Sequence, residues 1–136
     1  MLYLAYGSNL NKKQMSRRCP NAKPVGSIIL KGYKLEFRRV ATIKHTKKAD
    51  DKLGCGLWEI TEKCEKSLDI YEGFPHVYSK TIIKLDDGRE AMTYIMNNGA
   101  LGPPTTKYFN TIKNGFKDFE LPTNLLYKIK YPKLFI

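Results

Sequence analysis

The stretch YLAYGSNL, Tyr3–Leu10, predicts a buried strand that ends abruptly in a polar turn. The residues Leu2–Tyr6 are apolar and aromatic, which is typical of a strand covered on both faces. Gly7, Ser8 and Asn9 then form a turn cluster. Two explanations of this turn stay open: a capped connection to a following helix, or a nest of backbone N–H groups that binds a small anion.

The segments that follow the turn predict short helices and several strands. Residues Asn11–Arg18 predict a helix that Cys19-Pro20-Asn21 ends. Further strands are predicted over 25–38, 40–45, 54–60 and the two arms of a hairpin, 77–85 and 90–96. The two glycines of the 54–60 strand indicate close packing of its backbone.

Later helices complete the predicted pattern. One lies between the N-cap Thr61 and Gly73. Another starts after Pro104 and runs to about Lys113, with Gly115 as its end, and a shorter one follows over 121–129. Because strands outnumber helices and include a hairpin, the pattern predicts an α+β fold with a mixed or barrel-like sheet.

Length and composition indicate an ordinary globular protein. The chain has 136 residues, of which 42% are hydrophobic and 27% charged, so we expect one domain over 1–136. No stretch approaches the ~18 apolar residues of a membrane helix. The start of the chain lacks the pattern of a signal peptide. We therefore expect a protein without a membrane partner.

The cysteines and histidines give little sign of a metal or redox site. Cys19, Cys55 and Cys64 cannot all pair and show no CxxC spacing, which fits reduced thiols in a cytoplasm. Together with His45 and His76 they form no cluster with metal-ligand spacing. The sequence predicts a cytoplasmic protein that needs no metal and no cofactor.

The net charge of +11 raises nucleic acid as a possible partner. Residues 1–52 carry thirteen Lys or Arg and three Asp or Glu. These basic residues are scattered in pairs and are not interleaved with aromatic residues as in a groove-reading element. We interpret them as solvated surface and expect no nucleic-acid partner. The oligomeric state, monomer or homodimer, is left open.

Glu72 is the residue whose position points most clearly to chemistry. It shares the face of Leu68 in the predicted 61–73 helix, so it points toward the sheet. It also lies in the last turn, where the helix dipole disfavours a negative charge. Burial and dipole both raise the pKa of a carboxylate, which suits a general acid or base. The alternative is a carboxylate that reaches solvent at the helix end or pairs with a lysine.

Other candidate residues have simpler structural explanations. Ser8 lacks the G-x-S-x-G pattern of a nucleophile. No local feature pairs Cys19 or Cys55 with a histidine. Asp86-Asp87 belongs to a hairpin turn, and tyrosines such as Tyr78, Tyr94 and Tyr108 are more often core residues than ligands.

Several motifs, in this order and spacing, resemble the γ-glutamylcyclotransferase family, including its AIG2-like branch. They are YLAYGSNL at 3–10, RCPNA at 18–22, GLWEI at 56–60, LDIYEG at 68–73, YIM at 94–96 and PTTKYFNTIKNG at 104–115. The opening motif and the Leu-Asp-x-x-Glu-Gly motif are specific in combination. The resemblance implies a small β-barrel surrounded by helices.

The resemblance also implies roles for individual residues. The turn formed by Tyr6, Gly7, Ser8, Asn9 and Leu10 becomes the floor of a small pocket whose amides hold the substrate α-carboxylate. Glu72 becomes the catalytic acid/base, and the family tyrosines fall on Tyr78, Tyr94 and Tyr108. The interval from Glu72 to Tyr78 is one residue shorter than in well-known vertebrate members.

The implied reaction is the cyclisation of a γ-glutamyl amino acid or amine to 5-oxoproline, with release of the amine. The chemistry moves one proton from the α-ammonium to the leaving nitrogen, which a single carboxylate can do. It requires no Lewis acid. The alternative on the same fold is a module that binds a γ-glutamyl compound or another small anion without turnover.

Overall fold

A computed structural model describes residues 1–129 of the chain. Its strands are β1 (Leu2–Ala5), β2 (Lys23–Lys31), β3 (Tyr33–Arg38), β4 (Val40–His45), β5 (Lys52–Glu59), β6 (Tyr78–Lys84) and β7 (Glu90–Met96). Its helices are α1 (Lys12–Arg18), α2 (Glu62–Glu72) and α3 (Thr106–Asp118). Short 3-10 turns cover Ser8–Leu10 and Thr123–Lys128.

The strand β1 lies at the centre of a mixed five-stranded sheet with the order β2-β5-β1-β7-β6. It runs antiparallel to β5 and parallel to β7. Its residues Leu4 and Ala5 have no exposed surface, as expected for a strand covered on both faces. The strands β3 and β4 form a separate hairpin. The predicted α+β fold with a mixed sheet is confirmed, although the sheet does not close into a barrel.

The helix α2 has the ends that the sequence predicts. The Thr61 hydroxyl accepts a hydrogen bond from the N–H of Cys64 at 3.1 Å. Gly73 ends the helix with a φ of 65°, a left-handed conformation that glycine adopts without strain. Leu68 is fully buried on the inner face. These signals fix the orientation of α2, and therefore the place of Glu72.

The explanation of the turn after β1 as a capped connection is wrong in its capping residue, because neither Ser8 nor Asn9 caps α1. Ser8–Leu10 form a 3-10 turn of their own, and α1 is capped by the next residue, Asn11. The Asn11 Oδ1 accepts a hydrogen bond from the N–H of Gln14 at 3.1 Å. Ser8 and Asn9 are thus free of the capping role, and both are buried.

Two glycines bring the neighbouring elements close to Leu10. A Cβ on Gly56 would lie 2.8 Å from the Leu10 Cδ2, which confirms the predicted close packing of β5. A Cβ on Gly115 would lie 2.6 Å from the Leu10 Cβ. The prediction that Gly115 ends α3 is therefore wrong. Gly115 instead lets the helix pass directly against the 3-10 turn. This contact outweighs the low helix propensity of glycine.

Two further expectations are corrected by the structure. The predicted helix over 121–129 is the 3-10 turn Thr123–Lys128, a conformation common in segments too short to propagate an α-helix. Cys19 and Cys64 form a disulfide because α1 ends beside the first turn of α2, with their Cα atoms 5.1 Å apart. Only Cys55 is a free thiol, so the expectation of three reduced thiols is wrong.

Within residues 1–129, no helix combines the length and the apolar character that crossing a bilayer demands.

Candidate active site

A cavity of about 300 Å³ opens where the turn after β1 faces the C-terminal end of α2. This volume is at the lower end of the range for small-molecule sites. Eight of the nine predicted site residues line it: Tyr6, Gly7, Ser8, Asn9, Glu72, Tyr78, Tyr94 and Tyr108. The ninth, Leu10, does not line the cavity, because its side chain is fully buried in the core.

The turn presents backbone to the cavity. Because the 3-10 turn begins at Ser8, the N–H groups of Ser8 and Asn9 have no acceptor within that turn. Gly7 has a φ of −119°, so positive φ does not explain the glycine. A Cβ at this position would lie 3.2 Å from the Ala41 Cβ. The glycine is explained by the close approach of β4.

Asn9 fixes the turn through three neighbours. An Arg18 guanidinium nitrogen donates to the Asn9 Oδ1, and the Trp58 indole donates to the Asn9 carbonyl at 3.0 Å. The Asn9 Nδ2 donates to the Tyr3 hydroxyl at 2.8 Å. Since arginine can only donate, the amide orientation of Asn9 is determined. The Tyr3 oxygen is therefore an acceptor, and its own proton is left for another partner.

Glu72 lies opposite this turn, at the end of α2. Burial raises the pKa of its carboxyl to about 7, while the positive charge of Arg18 acts in the opposite direction. The group therefore changes its charge near neutral pH, which suits proton transfer in both directions. The structure brings Glu72 to the cavity as predicted. Tyr71, the residue before it, is 46% exposed at the rim of the cavity.

Three tyrosines use their hydroxyl protons within the protein. The Tyr78 hydroxyl donates to the Ala41 carbonyl at 2.7 Å. The Tyr94 hydroxyl donates to the Asp69 carboxylate at 2.6 Å, and that of Tyr6 donates to the Tyr94 carbonyl at 2.6 Å. These rings are therefore oriented by the protein and shape the cavity.

Tyr108 resembles Tyr3 in accepting a hydrogen bond from the protein. Its hydroxyl accepts from the N–H of Ala41 at 3.0 Å. Burial raises the pKa of Tyr108 to about 12, and it raises the pKa of Tyr3 further. Both hydroxyls therefore keep their protons at neutral pH, and both border the cavity. They are the tyrosines best placed to donate to a bound molecule.

Comparisons with known proteins show the family to which the chain is similar. The family model for γ-glutamyl cyclotransferase, AIG2-like, matches residues 3–114. The γ-glutamylcyclotransferases of Mus musculus and Homo sapiens are 30% and 28% identical to the chain, covering 95% of it and 77% of their own length. A solved γ-glutamyl cyclotransferase structure, 28% identical, matches with a TM-score of 0.81 over 94% of this chain and 85% of its own.

The chain belongs to the γ-glutamylcyclotransferase family.

Membership of the γ-glutamylcyclotransferase family confirms the predicted family, and the relatives confirm an enzyme of this type. The roles of single residues are not tested by these comparisons. Three residues that the sequence analysis did not single out help to build the site: Tyr3, Arg18 and Asp69. Asp69 lies one turn before Glu72, and this helical spacing was the signal that could have indicated it. The Asn9 contacts that involve Tyr3 and Arg18 leave no such local pattern.

Proposed function

We propose that the protein converts a γ-glutamyl amino acid or γ-glutamyl amine to 5-oxoproline and the free amine, with Glu72 as general acid/base. The observation that carries this proposal is the carboxyl group of Glu72, with a pKa of about 7, on the wall of a small cavity. The opposite wall offers backbone N–H and tyrosine O–H donors.

The glutamyl end of the substrate binds at the turn. Its α-carboxylate accepts hydrogen bonds from the N–H groups of Ser8 and Asn9, which lack an acceptor within the 3-10 turn. Backbone donors at the start of a helical turn favour an anion. Ala41 approaches Gly7 too closely for a larger residue, so no side chain at position 7 covers this wall. The α-ammonium is then directed toward Glu72.

Glu72 transfers protons from the attacking nitrogen to the leaving nitrogen during the reaction. The carboxylate takes a proton from the α-ammonium, and the neutral amine attacks the γ-carbonyl carbon to form the new C–N bond of the ring. Glu72 returns this proton to the leaving nitrogen and takes the second proton from the ring nitrogen. Collapse of the tetrahedral intermediate then breaks the bond to the leaving nitrogen and gives a neutral lactam, and the released amine takes up the second proton. The tethered nucleophile and electrophile lower the barrier further when the cavity folds the substrate.

The developing oxyanion on the γ-carbonyl oxygen needs a hydrogen-bond donor. Tyr3 supplies it in this proposal, because its oxygen accepts from Asn9 and its proton has no other use in the mechanism. Tyr108 is the second such donor. Tyr78 and Tyr94 orient the walls, since their protons are held by Ala41 and Asp69.

The remaining expectations about surroundings are part of the same proposal. The protein acts in the cytoplasm on a small molecule, as a monomer or homodimer, and without nucleic acid. The scattered basic residues of the sequence support the last point.

The test is an incubation of the protein with a panel of γ-glutamyl amino acids and γ-glutamyl amines, followed by detection of 5-oxoproline by mass spectrometry. We expect at least one compound to yield equimolar 5-oxoproline and free amine. A panel in which compounds bind in calorimetry but none is converted would contradict the enzyme and favour a binding module.

A further inference from the structure

A lysine on the edge strand β6 lies between two carboxylates of α2. The Lys80 Nζ donates hydrogen bonds to the Glu65 Oε2 at 2.9 Å and to the Asp69 Oδ2 at 3.0 Å. Glu65 and Asp69 are four residues apart, so they share one face of the helix. All three side chains are between 20% and 23% exposed. They lie outside the lining of the cavity, so Lys80 affects a bound substrate only through other residues.

One cation therefore balances two carboxylates in a partly buried place. Like charges at this helical spacing repel each other, and salt screens partly buried charges less than exposed ones. Removal of one partner from such a group leaves the remaining charges uncompensated. Without Lys80, the two carboxylates would move apart or turn toward solvent. The position of the Asp69 carboxylate thus depends on Lys80.

Asp69 connects these ion pairs to the wall of the cavity. Its other carboxylate oxygen accepts from the hydroxyl of Tyr94, a lining residue, at 2.6 Å. Its backbone carbonyl accepts from the N–H of Phe74 at 2.9 Å, in the connection that follows α2. The Lys80 Nζ also lies 4.3 Å from the centroid of the Phe74 ring. Lys80 therefore contacts the chain three residues before Glu72 and two residues after it.

We propose that Lys80 is a positioning residue for the cyclisation: it holds the last turn of α2 so that the Glu72 carboxyl faces the reacting nitrogens. This inference rests on the proposed function. Proton transfer requires heavy atoms within about 3 Å of each other, and a misplacement of about 1 Å can cost about 10²-fold in rate. The glutamyl end binds at the turn after β1, so the loss of Lys80 should lower kcat and leave that affinity unchanged. A lysine that only stabilised the fold would change neither quantity in a folded variant.

The experiment compares Lys80→Met with the unmodified protein. Methionine keeps most of the unbranched stem of lysine but removes the ammonium group. The substrate is the compound that the panel of γ-glutamyl amino acids and amines shows to be converted fastest. We expect kcat to fall about tenfold or more. The Kd for 5-oxoproline, measured by calorimetry, should stay within about twofold, and circular dichroism checks that the variant is folded.

Lys84→Met is the matched control. It removes the same charge from the same strand, four residues further on and about 13 Å away. Lys84 is exposed and forms no salt bridge with another described residue. We expect Lys84→Met to leave kcat within about twofold of the unmodified protein. An equal fall in both variants would show an effect of net charge and overturn the positioning role.

Asp69→Asn tests the same inference by a milder change. The amide oxygen still accepts from Tyr94, but the amide nitrogen cannot accept from Lys80. We expect kcat to fall about fivefold or more. The double variant Lys80→Met/Asp69→Asn should lose no more than about twofold beyond the worse single variant, because changes that remove one shared contact do not multiply.

This pair of variants decides whether Lys80 acts through Asp69. Losses that multiply in the double variant would show that the two residues act independently and would overturn the inference. If Lys80→Met does not fold, Asp69→Asn decides alone, and a kcat within about twofold of the unmodified protein overturns the inference.

Other outcomes separate this inference from the function beneath it. A folded Lys80→Met variant that keeps kcat within about threefold overturns the positioning role while the cyclotransferase function stands. A Kd for 5-oxoproline that rises about tenfold in this variant would assign Lys80 to the glutamyl end and also overturn it. If the unmodified protein converts no compound of the panel, the proposed function fails and this inference with it.

Discussion

The two walls of the cavity are built in opposite ways. The turn after β1 is buried, and Asn9 ties it to three neighbouring side chains. The end of α2 is open: Ile70 is 83% exposed and Tyr71 46% exposed, and both line the cavity. Glu72 lies at the boundary between this exposed rim and the interior.

This difference separates recognition from chemistry. A wall made of backbone groups and held by buried hydrogen bonds keeps a fixed shape, which favours the binding of one anion in one orientation. A wall at a helix end, partly open to solvent, allows substrate to enter and lets a carboxyl group exchange protons. Changes on the α2 wall should therefore affect turnover, and changes on the turn wall should affect affinity.

The largest effect is expected from Glu72→Gln. Glutamine keeps the size of the side chain but cannot accept the proton, so kcat should fall about 10²–10⁴-fold. The Kd for 5-oxoproline should change less than threefold, since binding belongs to the other wall. Glu62→Gln, an exposed change in the first turn of the same helix, is the control. A variant that keeps more than about a tenth of kcat would remove Glu72 from the mechanism.

Tyr3→Phe tests whether the turn wall also serves the chemistry. The loss of one oxyanion donor should lower kcat about 10²–10³-fold. Tyr78→Phe is the matched control, because its proton is held by the Ala41 carbonyl and should matter less than tenfold. Steady-state kinetics with both variants would decide the assignment. A greater loss of kcat in Tyr78→Phe would transfer the role to that residue.

The stability of Glu72→Gln should exceed that of the unmodified protein above pH 7. The pKa of Glu72 is about 7 in the fold against 4.5 in the unfolded chain, so the fold binds its proton more tightly. The free energy of unfolding therefore falls as pH rises from 4.5 to 7 and is then constant. This loss is about 3 kcal/mol at most, and Gln avoids it.

Urea unfolding at pH 5 and pH 8 measures this difference for both proteins. We expect the advantage of Glu72→Gln to grow by about 1–3 kcal/mol between the two pH values. An advantage that shrinks over this interval would mean that the Glu72 pKa is lowered, not raised.

Gly7→Val should weaken the binding wall. A Cβ at this position would lie only 3.2 Å from the Ala41 Cβ, and the two further methyl groups of valine would displace the turn from its contacts. Loss of about one hydrogen bond to the ligand predicts an approximately tenfold weaker Kd for 5-oxoproline. Gly102→Val, whose Cβ meets its nearest atom at 3.7 Å, is the control. Unchanged calorimetric affinity in a folded Gly7→Val variant would remove this turn from the ligand site.

The smallest effect is expected from the positive charge of Arg18, which contacts Asn9 on the turn wall and lowers the pKa of Glu72 on the α2 wall. Because Glu72 must be ionised to act as a base, kcat/KM should rise with pH through about 7. Arg18→Gln removes the positive charge that lowers the Glu72 pKa, so this acid limb should move upward by a fraction of a pH unit. Two pH profiles with one substrate measure the shift. A limb near pH 4.5 in the unmodified protein would contradict the raised pKa.

The sequence was informative where structure depends on near neighbours. The caps at Thr61 and Gly73, the hairpin turn, and the inward face of Glu72 all follow from spacing within one helix or strand. The family motifs then added what spacing could not, the link between the turn and α2.

Two of the incorrect predictions concern contacts between distant segments. Gly115 was assigned to a helix end because glycine commonly follows a helix. Its packing partner, Leu10, lies more than a hundred positions earlier in the chain, so the sequence near Gly115 does not reveal the contact. The pairing of Cys19 with Cys64 spans 45 positions. Whether a tyrosine hydroxyl donates its proton within the protein or can donate it to a ligand depends on hydrogen-bond partners that only the fold brings together. No periodicity within a segment carries such information.

The backbone of one residue, Ala41, serves two tyrosines at once: its carbonyl accepts from Tyr78, and its N–H donates to Tyr108. Every residue except proline offers these two groups, so the methyl side chain is incidental to this task. A one-residue insertion in β4 would therefore shift this backbone and release both rings. The length of β4 is therefore as much a part of this site as the tyrosines themselves.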